Sequence, residues 1–429
     1  MITLASISAL PMRRGKGLVR GYILLILMLL PASTRSQTEV WPGIRTEQAD
    51  RIPMWIETFE TDENVAIDYA QTLEQILFAD LDFTGYFQIV RRKAGGAGQK
   101  RDFAVVVRGK TIESGGEAYF EGKVIELSTG QFIGGKRYRI KQGLVRQVAH
   151  HFADEIVTWL TGEKGIAGTQ IAFTRKSGDD WELMICDYDG NRPRVVLRQS
   201  LPIISPRWVE GDQAIMYTSY RQGKPDLYIR YLKENSSRLI ASYTGLNYSV
   251  DWSQTRQQLL VTLSKDGDPE IYIMRKEGQI DRRLTHNRAI DCSPCWSPSG
   301  REALFTSDRT GSPQIYLMEA DGGNVRRLTF HGGYNASPAW APQGDLIAFV
   351  GRVDGIFQLC AIRPDGTNHR LLTTDRVSHE DPRWAPDGRH LVYSERRYSG
   401  SVISIVDMAT GGKRILTEGE MPDWSFPDS

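Results

Sequence analysis

Few residues in this chain have both the type and the spacing to do chemistry. Cys292-Ser-Pro-Cys295 has the spacing of a redox dithiol, but such a site needs a strand feeding a helix whose N-terminus supports the thiolate. Here the pair runs into a strand beginning at Trp296, so incidental thiols or a local disulfide are expected. Only Cys186 and Cys360 remain, and neither gives the second pair that a zinc site would need. His150 and His151 are adjacent on a helical stretch, so their side chains diverge and are read as packing or capping. His286, His331, His369, His379 and His390 are read as scattered in turns without ligand spacing. Neither a Gly-x-Ser-x-Gly elbow nor a His-Glu-x-x-His motif occurs. No catalytic residue, metal or cofactor is expected.

The elements that would carry any site are set by a repeat. Tryptophans fall at 208, 252, 296, 340, 384 and 424, a step of 44 four times and then 40. Leu183, Leu227, Ile271, Ile315, Leu359 and Ile403 step by 44, as do Phe173, Tyr217, Val261, Phe305, Phe349 and Tyr393. A further register, Arg-Leu-Thr or its variants, falls at Leu239, Leu284, Leu328, Leu372 and Leu416. Each unit holds four short runs of β-branched and aromatic residues separated by turns such as Ala-Pro-Asp-Gly (385–388). Four strands in about 44 residues is the size of a propeller blade. The first unit starts at Gln170 without a Trp strand, and the last ends in a Trp strand, Met421-Pro-Asp-Trp424. Each end supplies what the other lacks, so the ring should close with six blades. The copy at Trp252 is worn: Val250 replaces the proline and Ser253-Gln-Thr-Arg replaces the turn, so a looser turn is expected. The tryptophans are read as core.

Before the repeat, apolar residues at 65, 69, 73, 76, 77 and 81 have helical spacing, as do Leu144, Val145, Val148, Phe152, Ile156, Trp159 and Leu160, ended by Gly162. Residues 103–107 read as a buried strand, and 119–127 with 131–140 as a hairpin. The Gly-Gly-Ala-Gly stretch at 95–98 is a loop rather than a phosphate cradle, because no helix start follows it. The fold class is thus a small α/β N-terminal domain followed by an all-β six-bladed β-propeller, with boundaries at 37–162 and 163–429.

At the N-terminus, Arg13, Arg14, Lys16 and Arg20 precede nine apolar residues (22–30), then Pro31 and small residues. A bilayer span needs about 20, so residues 1–36 read as a cleaved signal peptide, with no cysteine near the cut to carry a lipid anchor. Residues 37–48 look like an extended arm. Lys plus Arg number 53 and Asp plus Glu 52, a formal net charge of +1, which argues against broad phosphate binding by a nucleic-acid partner.

Three stretches carry a resemblance: ADLDFTGYF (79–87), RQVAHHFADEIVTWLTGEKG (146–165), and repeats such as FTSDRTGSPQIYLMEADGGNVRRLTF (305–330). Together they resemble the TolB family of the Tol-Pal system, across essentially the whole chain after residue 36. The α/β part with its Ala-His helix is the more specific likeness. The resemblance implies a monomeric, non-enzymatic periplasmic adaptor, peripheral to the membrane only through its partners. It would bind a Pal-like peptidoglycan-associated lipoprotein at the propeller's channel mouth and a TolA-like inner-membrane protein through 37–48. It also implies a part in outer-membrane constriction at cell division and in envelope integrity. The implied docking residues lie in loops leading into the Trp strands: Asn247, Ser249, Asp291, Cys292, Ser293, Asn335, Ser337, His379 and Glu380. The chain departs from the polar pattern expected there at Leu246 and at Cys292-Ser293.

Strand direction places the loops after each aromatic-Thr strand on that same face, and each carries a basic residue: Arg175, Arg221, Lys265, Arg309, Arg352 and Arg396. Such a ring could steer an acidic partner. Pairs such as Asp308-Arg309 could equally brace neighbouring loops by charge-assisted hydrogen bonds, the reading favoured here, and the two roles are compatible. Two other functions stay open: a propeller polysaccharide lyase, for which His379-Glu380 is the one hint, and a glycan-binding propeller.

Overall fold

A computed structural model describes residues 51–62, 68–92, 103–141 and 143–426. The leader (1–36), the arm (37–48) and the glycine loop (95–98) lie outside the described residues.

The α/β region starts with β1 (Ile52–Glu57), β2 (Glu60–Thr61), helix α1 (Asp68–Thr84) and β3 (Phe87–Arg92). It continues with β4 (Val105–Ser114), β5 (Glu117–Glu126), β6 (Phe132–Ile140) and helix α2 (Val145–Thr161). The sheet order is β3-β1-β4-β5-β6, with β2 on β4. β1 pairs in parallel with both β3 and β4, while β4, β5 and β6 form an antiparallel meander. The parallel β1–β3 pair is what α1 makes possible, since a parallel connection needs a crossover. Gly122 and Gly134 lie under α2, where an added Cβ would meet the Phe152 ring at 2.3 Å and the Trp159 ring at 2.5 Å. Their bare backbone therefore lets two large rings lie against the sheet. α2 stops at Gly162, whose left-handed φ of 75° returns its N–H to Thr158 O.

Strands β7 (Gln170–Ser177), β8 (Asp180–Asp187) and β9 (Arg194–Gln199) belong to the first blade. Five four-stranded sheets follow: β10–β13 (203–241), β14–β17 (247–283), β18–β21 (291–327), β22–β25 (335–371) and β26–β29 (378–418). The last strand, β30 (Glu420–Trp424), completes the first sheet in the order β30-β7-β8-β9. There are six blades, and the ring closes as the repeat predicts. At the seam Trp424 pairs with Ile171, Ser425 N donates to Gln170 O (2.9 Å), and the Trp424 indole donates to Thr169 Oγ1 (2.7 Å). The 40-residue step has a local cause: one residue, Gly419, joins β29 to β30. Its φ is +152°, and a Cβ there would meet the Phe173 ring at 2.4 Å, so only glycine passes.

One register is corrected. Leu239 is exposed, and Ile240 takes the core place that Leu284 and Leu328 hold in later blades. The repeat therefore counts from 240, at an undistorted step of 44.

The first strand of every blade has the same break. Register shifts at Ile204/Arg207, Tyr248/Val250, Cys292/Cys295, Ala336/Ala339, Glu380/Arg383 and Glu420/Asp423. At each lies a left-handed residue: Ser205 (φ 50°), Ser249 (48°), Ser293 (52°), Ser337 (53°), Asp381 (55°) and Met421 (55°). Five of the six are followed by proline, which has no N–H for the ladder. In the worn copy Val250 keeps its pairing with Val261, yet the bulge persists, so the break belongs to the blade and not to the proline.

Candidate functional site

The expected docking residues divide by what they touch. Asn247, Asp291, Asn335 and His379 stand at or beside the starts of first strands, and all are fully or almost fully buried. Asn247 Oδ1 accepts the Tyr243 N–H (2.9 Å), while its Nδ2 donates to Pro225 O and Tyr243 O (3.1 and 2.9 Å). Asn335 Nδ2 likewise donates to Gln314 Oε1 and His331 O (2.9 and 2.8 Å). Asp291 Oδ2 accepts from Asn287 Nδ2 (2.7 Å) and Arg309 Nη2 (2.8 Å). His379 Nε2 lies 2.6 Å from Asp375 Oδ1. One column of the repeat thus ties down each loop entering a first strand. Ser249, Ser293 and Ser337 are the left-handed bulge residues. Cys292 is buried, and burial pushes its thiol up to about 12; burial raises the Cys295 thiol well above its ordinary value too. All four cysteines are free, so of the two expectations the incidental thiols hold and a local disulfide does not. Glu380 is buried, its carboxyl raised by desolvation against the lowering effect of Arg396, 3.6 Å away. His379 and His390 are in strands, not in turns as expected, and His390 Nδ1 lies 2.6 Å from Asp387 Oδ2.

The basic column is on that face, and its members find local partners. Arg175 forks onto Glu182 (2.7 and 3.0 Å). Arg221 lies 3.8 Å over the Tyr228 ring, Lys265 pairs with Asp266 (2.8 Å), and Arg309 pairs with Asp291. Arg396 faces Glu380. Arg352 donates to the Gly355 carbonyl (3.4 Å) and lies 5.9 Å over the Phe357 ring. Of the expected residues, then, the structure brings together Arg309 with Asp291 and Arg396 with Glu380; the others sit at separate stations round the rim.

Three groups were not anticipated. On this same face, Phe330 is 69% exposed, Tyr398 is fully exposed and Arg376 is exposed as well. A signal for Phe330 was available: positions 242, 286, 330, 374 and 418 are Ser, His, Phe, Thr and Glu, so one aromatic interrupts a polar column. Second, the α/β region is fastened to the opposite face. Buried Asp80 of α1 accepts the Tyr188 hydroxyl (2.7 Å), and its other oxygen lies 2.7 Å from His150 Nδ1 of α2. Arg146 reaches both Asp187 (3.0 Å) and Asp189, and Phe83 stacks on His390 (4.7 Å between centroids). His150 is thus part of a three-element clamp. Third, a chamber of about 440 Å³ opens at the ring's centre on that opposite face, lined by all six repeat tryptophans and by Arg207, Asp251, Arg383 and Asp423.

Among the described residues no helix is long and apolar enough to cross a membrane, and no three His, Cys, Asp or Glu side chains cluster as metal ligands.

Comparison with known proteins gives a consistent answer. A family model described as the TolB beta propeller domain matches residues 157–427. "Tol-Pal system protein TolB" of Bordetella pertussis is 33% identical over 250 residues, covering 54% of this chain and 55% of the relative. The protein of the same name from Bordetella avium is 34% identical over 238 residues, covering 52% and 53%. The chain therefore spans about half the length of the curated relatives it matches. The crystal structure of TolB from Acinetobacter baumannii superposes with a TM-score of 0.77 at 27% identity, over 88% of this chain and 97% of that one. On the propeller match and this shared architecture, the chain belongs to the TolB β-propeller family.

Proposed function

We propose that this chain is the TolB-type adaptor of a Tol-Pal system, exported to the periplasm and working by holding other proteins. A Pal-like peptidoglycan-associated lipoprotein would dock on the face built from the loops entering the first strands. A TolA-like inner-membrane protein would engage residues 37–48. Through these contacts the protein would support outer-membrane constriction during division. The observation that carries this reading is the superposition over 97% of the Acinetobacter baumannii TolB chain, α/β region included.

The roles of the proposed site residues follow from their burial. Asn247, Asp291, Asn335 and His379 hold the loops rigid, so the face is pre-organised and little ordering entropy is lost on docking. Contact itself would come from exposed neighbours: Phe330, Tyr398 and Arg376, the aromatic and arginine types that anchor interfaces, with Arg221 and Arg352 at the edge.

The test is capture of the peptidoglycan-associated lipoprotein from the organism's own envelope extract by the purified chain, identified by mass spectrometry. The wild-type chain should retain it, and Phe330→Ala with Arg376→Glu should lose it. Turnover of an acidic polysaccharide would favour the lyase, and saturable sugar binding without lipoprotein capture would favour the glycan-binding propeller; either would overturn the proposal.

A further inference from the structure

The residues that line the central chamber include buried donors whose hydrogen bonds are unmet. The residue before each repeat tryptophan is Arg207, Asp251, Cys295, Ala339, Arg383 or Asp423. Where this residue is a carboxylate or a thiol, it accepts a neighbouring blade's Trp backbone N–H. Asp423 Oδ2 takes that of Trp208 (2.7 Å), Asp251 Oδ2 that of Trp296 (2.7 Å), and Cys295 Sγ that of Trp340 (3.4 Å). The arginines cannot accept, and they converge instead on one oxygen, Asp423 Oδ1, at 3.7 Å from Arg207 and 3.5 Å from Arg383. Two guanidiniums share one carboxylate, and neither distance is that of a close hydrogen bond. Arg207 is 93% buried, so its charge is desolvated and its Nε has no hydrogen-bond partner; the Nε of Arg383 has none either. A third unmet donor belongs to another residue of the lining. The indole N–H groups of the other five repeat tryptophans are all taken, by Asp423 O, Gln254, Gly344 O, Ala339 O and Thr169, and that of buried Trp296 is free. Lys164 adds a further positive charge at the rim.

Buried donors without acceptors are costly, roughly 1–3 kcal/mol each. Here three of them border one chamber of ligand size, walled largely by indole rings. We propose that the chamber binds a small organic carboxylate, whose oxygens are received by Arg207, Arg383 and the Trp296 indole N–H while its apolar body lies against the tryptophans. A divalent cation would meet two buried guanidiniums, and a neutral sugar would leave them with the single countercharge of Asp423. The site is on the face opposite the proposed protein-docking surface and stands independently of it. Asp251 and Asp423 bear on the balance in the same direction: burial raises their carboxyls to about 7 and about 6, so they oppose an incoming anion less than surface aspartates would.

The experiment titrates the full chain with benzoate, benzamide and benzylamine, followed by ligand-observed NMR and tryptophan fluorescence. Benzoate should bind saturably in about the millimolar range, as expected for so small a ligand. Neutral benzamide and cationic benzylamine should bind at least about tenfold more weakly, the loss of one charge-assisted contact. Arg383→Gln should weaken benzoate about tenfold, and Trp296→Phe, which removes the N–H together with part of the indole wall, should weaken it a few-fold. Absence of saturable benzoate binding, equal binding of benzamide, or benzoate affinity unchanged in folded Trp296→Phe and Arg383→Gln would each overturn the proposal.

Discussion

The two faces of the disc use the same repeat in opposite ways. On the rim face, the columns Asn247–Asp291–Asn335–His379 and Arg221–Lys265–Arg309–Arg352–Arg396 vary in side chain, and their members find partners within their own loops, with single buried atoms of Asp291, His379 and Arg396 left over. On the face packed against the α/β region, the column before the tryptophans changes from arginine to aspartate, cysteine and alanine, and it leaves donors unmet. A repeat position whose members close their own hydrogen bonds serves the blade. A position whose chemistry changes from blade to blade and stays unsatisfied is where a ligand can act.

This contrast can be broken within one column. Arg309→Ala should leave Asp291 as a buried carboxylate held by Asn287 and Ser307 without a countercharge, at a cost of about 3 kcal/mol in urea unfolding. Arg352→Ala, at the equivalent station, should stay within about 0.5 kcal/mol because no carboxylate depends on it. Equal effects would mean that the column does not act by local bracing.

A smaller effect tests one of the first-strand bulges. Burial, with Glu380 alongside, raises the Asp381 carboxyl to about 7. A carboxyl raised in the folded state favours folding fully below its unfolded pKa, near 4, and that contribution is lost as pH rises toward 7. Asp381→Asn keeps a residue type suited to the left-handed bulge and removes the titration. The variant should match wild type at pH 4 and exceed it by about 1–3 kcal/mol at pH 8, measured by denaturant unfolding at both values. The smallest expected stability change is at the docking face itself. Phe330→Ala should shift unfolding by less than about 0.5 kcal/mol while abolishing lipoprotein capture. A large stability loss would make Phe330 a structural residue.

Blade number and ring closure were legible because tryptophan, aromatic and aliphatic registers repeat with a period that strand geometry accounts for. The helices and the hairpin of the α/β region were legible for the same reason of periodicity. β1 and β3 were not, since six-residue strands such as Phe87–Arg92 carry too little pattern to separate from loop. The proposed docking residues and the basic column share one face, as strand direction predicts, but their burial could not be read: an asparagine beginning a strand looks the same whether it braces a loop or faces solvent. The role of His150 was hidden because its partners, Asp80 and Tyr188, are 70 and 38 positions away. The chamber was missed because its signal is a mismatch between blades, which a search for likeness averages out.

The seam between β30 and β7 joins residues some 250 positions apart. The first sheet therefore cannot be finished until the whole disc has been laid down, which makes the contact slow to form and late in assembly. A chain clipped before Glu420 would keep five intact sheets yet present β7 as an open, apolar edge, ready to pair with another molecule. Completion of the ring thus acts as a proofreading step: only molecules that retain their last strand hide that edge.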